Sequence, residues 1–229
     1  MKDLRYLQHG DYFPAMAFQV FQEYFSSRSA FDGFLTSIAA NEEKSLFLKV
    51  ASHYKFLVKD GRFSVPGYEE AKDFDETYRF VGLVALIECV ESSASFKDLY
   101  TWLSKLGAFP IQDQQGLDVL YEQYKGEFGV RHKMVSFFLR LDDSSKREIE
   151  SWIKVKGQSL AIEQLARLLY DIRSKFVHEA RIIVELSGVK TISARHLDRA
   201  ITLPLEQIER MFERGVLLRF GFAAPASWP

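Results

Sequence analysis

In its C-terminal half the chain reads Leu168-Leu-Tyr-Asp-Ile-Arg-Ser-Lys-Phe-Val-His178, setting a guanidinium, a hydroxyl and an imidazole close together in sequence at Arg173, Ser174 and His178. Histidine titrates near neutral pH and moves protons without help from a metal. Arginine meets phosphoryl oxygens with two parallel N–H donors. Together they suit chemistry at a phosphodiester, which gains negative charge in its transition state. On an ideal helix, five residues at ~100° each put Arg173 and His178 ~140° apart and ~7.5 Å along the axis. Two such groups do not converge in one straight helix. Either the helix unwinds locally, or two copies meet about a two-fold axis and each supplies half a site. The plain alternative makes Arg173 the rim of an apolar stripe, paired with a carboxylate, and His178 a surface residue.

Other chemistries fare worse. The five histidines (9, 53, 132, 178 and 196) include no pair three to five residues apart, the spacing of a helical or finger-type zinc site. His178-Glu179 opens like a zincin HExxH motif, but Ile182 stands where the second His belongs. Neither GxxxxGK[ST] nor GxGxxG occurs, so those phosphate cradles are absent. No metal or other cofactor is expected. Cys89, the single cysteine, lies in the most apolar helix and reads as a buried small hydrophobe. Glu88 beside it must face solvent, a cation or a site.

The elements that would position these groups read as helices. Pro14 opens an aromatic-rich stretch to about Arg28, and a short helix follows from about Ala30 to Ala39. Asn41, with Glu42 and Glu43, caps a third to about Lys59. Gly61 to Gly67, with Pro66 inside, reads as a linker. The chain therefore divides into an N-terminal helical region, 1–70, and a helical domain, 71–229. From Asp73 the apolar pattern predicts a buried helix to about Ser92. Ser95 and Asp98 resemble a capping box for Phe96–Leu106, with Gly107 as the stop. Val130, Met134, Phe138 and Leu141 form one stripe. Asp143 or Ser144 caps a helix through about Lys156, ended by Gly157. Ser159 caps a long one whose stripe is Ala161, Leu165, Leu168, Leu169, Ile172 and Phe176, with room to run to Leu186. Ser193 starts the last helix, kinked or split by Pro204 and finished before Gly215. The tail from Val216 to Phe222 is expected as a short strand or an extended arm. The fold class is all-α, a helical bundle.

The segment around Arg173 resembles the signature of HEPN domains: an Arg with a polar neighbour, four to six residues, then a His. The run Tyr170 to Lys175 followed by Phe176-Val177-His178 is similar to the Apea-like branch of that family. Val130 to Leu141 looks like that branch's preceding core helix, Asp142 to Ile153 like its connector, and Phe80 to Glu91 like its opening helix. The likeness covers about residues 74–215. Glu179 stands where the family often has Gly. The resemblance implies a metal-independent endoribonuclease, with Arg173, Ser174 and His178 catalytic at a homodimer interface. Similar proteins are often toxins or phage-defence effectors, which implies an antitoxin or regulatory protein as a further partner. The alternative is a non-catalytic HEPN module for dimerisation and for binding RNA or a partner protein.

Composition narrows the partners. The chain has 229 residues, 30 basic and 31 acidic, and a net charge of −1, unlike a generic nucleic-acid binder. Residues 126–229 hold 17 basic against 13 acidic side chains, a local +4. RNA is therefore expected across residues 126–215, on Arg131, Lys133, Arg140, Arg167 and Lys175. The rival expectation is that Glu163, Asp171 and similar carboxylates neutralise these cations. The longest apolar run, Phe80 to Ile87, is far short of the ~20 residues a membrane span requires. With no basic start and apolar core for a signal peptide, a cytoplasmic protein without membrane contact is expected.

Overall fold

The computed structural model describes residues 4–62, 66–67, 71–91, 98–107, 110–111, 113–155, 158–179, 199–201 and 205–229, with backbone alone at 71–74, 153–155, 158 and 199–201. The architecture is all-α, as expected. Its helices are α1 (Tyr12–Phe21), α2 (Arg28–Ser37), α3 (Asn41–Tyr54), α4 (Ala71–Val90), α5 (Leu99–Leu106), α6 (Gln114–Phe128), α7 (Val130–Arg140), α8 (Asp143–Trp152), α9 (Ile162–Glu179) and α10 (Leu205–Arg219). One small antiparallel sheet accompanies them, in the order β2-β1-β3, from β1 (Ile153–Val155), β2 (Gln158–Ser159) and β3 (Arg199–Ile201). No described helix is long and apolar enough to cross a membrane.

Several expected boundaries move, each for a local reason. The first helix stops at Phe21 and passes into a 3-10 turn, Gln22–Tyr24, and the backbone is extended at Phe25. Ser27, whose Oγ accepts from Ala30 N at 3.1 Å, then starts α2. Helix α3 begins on Asn41 itself, with no side-chain cap before it, and ends in a π-turn at Lys55–Lys59. Asp98 caps α5, its Oδ1 accepting from Thr101 N at 2.9 Å, while Ser95 lies outside the described residues. Asp142 caps α8, accepting from Ser144 N and Ser145 N, each at 3.0 Å. That helix stops at Trp152, because the period-2 run Ile153-Lys154-Val155 pairs as a strand. Ser159 belongs to β2, and the first turn of α9 is instead met by Glu150, whose Oε1 accepts from Ile162 N at 2.8 Å. Residues 180–198, where α9 was expected to continue and the last helix to start, lie outside the described residues. Where that last helix was expected, 199–201 are extended, and α10 runs on through Gly215 to Arg219. The tail is thus neither strand nor arm up to Arg219.

The core does not divide at residue 70. Phe21, Phe31, Phe47 and Tyr54 from the first part belong to one buried cluster with Leu83, Ile87, Phe137, Leu165, Phe212 and Val216. Helix α10 is the axis of that cluster and carries buried charge. Glu213 accepts from Tyr54 Oη at 2.6 Å and from Tyr24 Oη at 2.7 Å, and pairs with Lys59 at 2.8 Å. Glu209, one turn earlier, pairs with Arg79 at 2.5 Å. A smaller cluster of Trp102, Leu103 and Phe128 joins α5 to α6.

Two substitutions test this frame. A Cβ at Gly215 would lie within 2.7 Å of Cε1 of the fully buried Phe137 ring. Gly215→Ala should therefore cost about 1–3 kcal/mol in urea unfolding, through overpacking. Asp142 also accepts from Ser145 Oγ at 2.8 Å and Trp228 Nε1 at 2.7 Å. Burial raises its pKa, but these donors outweigh burial and hold it below the ordinary 3.8. A depressed carboxylate stabilises the fold above its unfolded pKa and loses that contribution as pH falls through the folded value. Asp142→Ala should cost about 1–2 kcal/mol at pH 7. The gap from wild type should close as the medium is acidified below pH 3.8.

Candidate active site and flanking groove

Helix α9 packs its apolar stripe, Leu165, Ala166, Leu168, Leu169 and Ile172, into the core against α7 and α4. Ala161 lies before the helix and is exposed, and Phe176 is half-buried. The polar residues of the motif emerge at the rim of that stripe and, at ~100° per residue, face different directions. Arg173 turns toward α4, where its Nη2 lies 3.4 Å from Oε1 of Glu88. Its side chain is 19% exposed, and its Nε is buried without a hydrogen-bond partner. Ser174, half-buried, faces the opposite flank, into a groove between α6, α7 and α9. His178 stands exposed in the last turn of α9, and among the described residues no hydrogen bond or ion pair reaches it. Arg173 and Ser174 therefore open onto different sides of one helix, and among the described residues no hydrogen bond or ion pair joins His178 to either.

Glu88 answers the question its sequence context posed: it faces a cation. Burial raises its pKa, while Arg173 and then Lys133 pull it down, and the net direction is up. Lys133, half-buried on α7, thus belongs to the Glu88 cluster. Cys89, next in sequence, is partly buried, and burial likewise pushes its thiol above the ordinary 9.0 against the pull of Lys49 and Lys133. Among the described residues no three His, Cys, Asp or Glu side chains are grouped as metal ligands would be.

The residues expected to grip RNA are largely paired with carboxylates. Arg131 Nη2 lies 2.6 Å from Asp171 Oδ1, and its guanidinium sits 5.5 Å from the Tyr170 ring centre. Arg167 reaches Glu163 one turn back at 2.5 Å. Arg140 grips Glu91 in a fork, Nη1 on Oε1 and Nη2 on Oε2, the latter at 2.9 Å. Lys175 is half-buried, and among the described residues no ion pair reaches it. Arg140 lies on the α4 side, away from the groove. The five cations thus form no single unopposed track, and the rival expectation describes Arg131 and Arg167 correctly.

The groove itself encloses about 830 Å³ and takes one wall from α6. That helix went unread in the sequence, together with the Tyr121, Glu122 and Lys125 it contributes. Its signal was present: Asp113, whose Oδ1 accepts from Gly116 N at 2.6 Å, precedes Leu117, Leu120, Tyr124 and Phe128 at helical spacing. Comparison of the chain with family models, with curated proteins and with solved structures finds no match.

The Cys89 environment predicts slow thiol chemistry. Alkylation by iodoacetamide at pH 8 should run roughly tenfold slower in the native protein than in urea, because burial disfavours the thiolate. Equal rates in the two states would contradict the burial described.

Proposed function

We propose that this chain is a metal-independent endoribonuclease of the HEPN type, acting as a two-fold homodimer with Arg173 and His178 at the shared face. The observation that carries the reading is the divided polar end of α9. Arg173 is held from behind by Glu88 with one N–H still unmatched, while His178 stands exposed on another face of the same helix. A second copy supplies the missing half without unwinding the helix. Apolar surface beside His178 supports self-association: Val177 is 46% and Tyr78 52% exposed, with the Tyr78 ring against Phe176.

In this reading the His178 imidazole takes the proton from a ribose 2′-OH. The 2′-oxygen attacks the adjacent phosphorus, the bond to the 5′-oxygen breaks, and that oxygen leaves with a proton taken from water, while the proton on His178 is returned to solvent. The products are a 2′,3′-cyclic phosphate and a 5′-hydroxyl. Arg173 meets the charge that grows on the non-bridging oxygens. Ser174 donates one further hydrogen bond. The family resemblance extends the reading to a toxin or phage-defence effector restrained by a partner protein.

A second reading is a non-catalytic HEPN module that dimerises and binds RNA or a protein; the carboxylates on Arg131, Arg140 and Arg167 favour its protein-binding form. One assay separates the two. Purified protein is incubated with structured and unstructured RNA in EDTA, and product ends are mapped. Cleavage should persist and leave cyclic phosphates; His178→Ala should lower the rate by roughly 10²–10⁴. Arg173→Ala should lose on the order of 3–4 kcal/mol of transition-state stabilisation. Ser174→Ala should cost less, having removed one neutral hydrogen bond. Light scattering at tens of micromolar should find a dimer. Activity in His178→Ala equal to wild type would end the catalytic assignment.

A further inference from the structure

The groove beside Ser174 balances its charges pair by pair. Lys125 lies 2.7 Å from Glu122, Arg131 lies 2.6 Å from Asp171, and Arg167 lies 2.5 Å from Glu163. A track for phosphates draws its affinity from unopposed cations and released counterions, and this groove has no surplus of positive charge. A nucleobase makes a different demand. It is flat, uncharged and edged with donors and acceptors, and unstacked bases are held by aromatic faces, guanidinium planes and side chains on their edges. The groove offers those groups together. Tyr121 is 43% exposed, with the flexible Lys125 ammonium 4.1 Å from its ring centre.

We infer that this groove binds one unstacked guanine of single-stranded RNA, stacked on Tyr121, with its edge read by Asp171 and Arg131. Guanine alone sets two adjacent donors, N1–H and the N2 amine, next to the acceptors O6 and N7. A carboxylate accepts from the first pair, and a guanidinium donates to the second, the commonest specific arginine contact with a base. Asp171 and Arg131 already stand side by side in that order, joined through one oxygen and one nitrogen. Both are substantially exposed, so their mutual bond is a weak surface pair that a base edge can replace. Adenine and cytosine give a carboxylate one exocyclic amine, and uracil gives none. The 830 Å³ volume lies within the ~300–1,000 Å³ usual for small-ligand sites. The inference rests on the ribonuclease reading only in taking RNA as the ligand. It adds that Ser174 links the base site to the motif, so that cleavage falls beside a guanine.

The test uses the His178→Ala chain, which keeps RNA intact, and two hexanucleotides: uridine throughout, or the same with one central guanosine. Fluorescence anisotropy should show the guanosine oligomer binding about tenfold tighter. Asp171→Asn should abolish the preference, and Tyr121→Ala should weaken binding of the guanosine oligomer about tenfold. Both side chains are exposed, and circular dichroism checks that the variants fold. The guanosine preference should hold nearly constant between ~50 and ~200 mM salt. Equal affinities, no saturable binding, or a steep salt dependence flattened by Arg131→Ala would overturn the inference, the last in favour of phosphate contact. Cleavage by the wild type is scored separately. Guanine preference without cleavage removes the ribonuclease and leaves the groove; cleavage without preference does the reverse.

Discussion

Two carboxylates buried one turn apart on α10 govern the architecture. An ionised carboxylate taken out of water is tolerated only where cations and donors replace its hydration. For Glu213 these are Tyr24, Tyr54 and Lys59; for Glu209 they are Arg79 and, at 3.4 Å, Lys59 again. The partners come from the 3-10 turn, α3, the π-turn and α4, so those segments must converge before α10 can be buried. Burial pushes Glu209 upward in pKa, against Arg79 and Lys59, and the Tyr54 hydroxyl is pushed up by burial and then by the neighbouring Glu213 charge. Arg79 also donates to the Val58 carbonyl at 2.8 Å, which ties α4 to the π-turn. Helix α4 is thereby fixed in position, and about two and a half turns beyond Arg79 it presents Glu88 to Arg173. The candidate site thus depends on charges buried elsewhere in the chain.

Helix α9 shows how much a single helix can separate. Its Arg173 belongs to a half-buried cluster with Glu88 and Lys133, where burial and two cations oppose each other on one carboxylate. The next residue, Ser174, belongs to the charge-balanced groove. The ~100° step between neighbours produces this division without any break in the helix. It also makes the two flanks separable by mutation, since no residue of the groove wall touches the Glu88 cluster in the ion pairs described.

What the sequence made legible follows from what periodicity reports. The stripe Val130, Met134, Phe138 and Leu141 marks α7 closely, because a long apolar repeat has one meaning. It omits Phe137, which is fully buried because α7 is also covered by α10, a fact about packing and not about period. Gly215 looked like a helix stop and is instead a contact: it makes room for the Phe137 ring in mid-helix. Ile153 and Val155 were absorbed into a helix because three residues are too few for a period of two to stand out. The pairs Arg131–Asp171 and Arg140–Glu91 join residues 40 and 49 positions apart, and only the packing of α7 on its neighbours selects them. The motif at 173–178 was visible as residue types; which way each one faces was not.

The dependence of the aromatic core on α10 also sets an order of events during synthesis. Phe47 stacks on Phe21, but it also meets Phe220, and Tyr54 meets Phe212. At about 5–20 residues per second, the ribosome needs on the order of ten seconds or more to travel from the first of these rings to the last. Throughout that interval a phenylalanine-rich surface, and the hydroxyls of Tyr24 and Tyr54, wait for a helix that has not yet been made. Those rings of α1 and α3 reach their full packing only once α10 has been made.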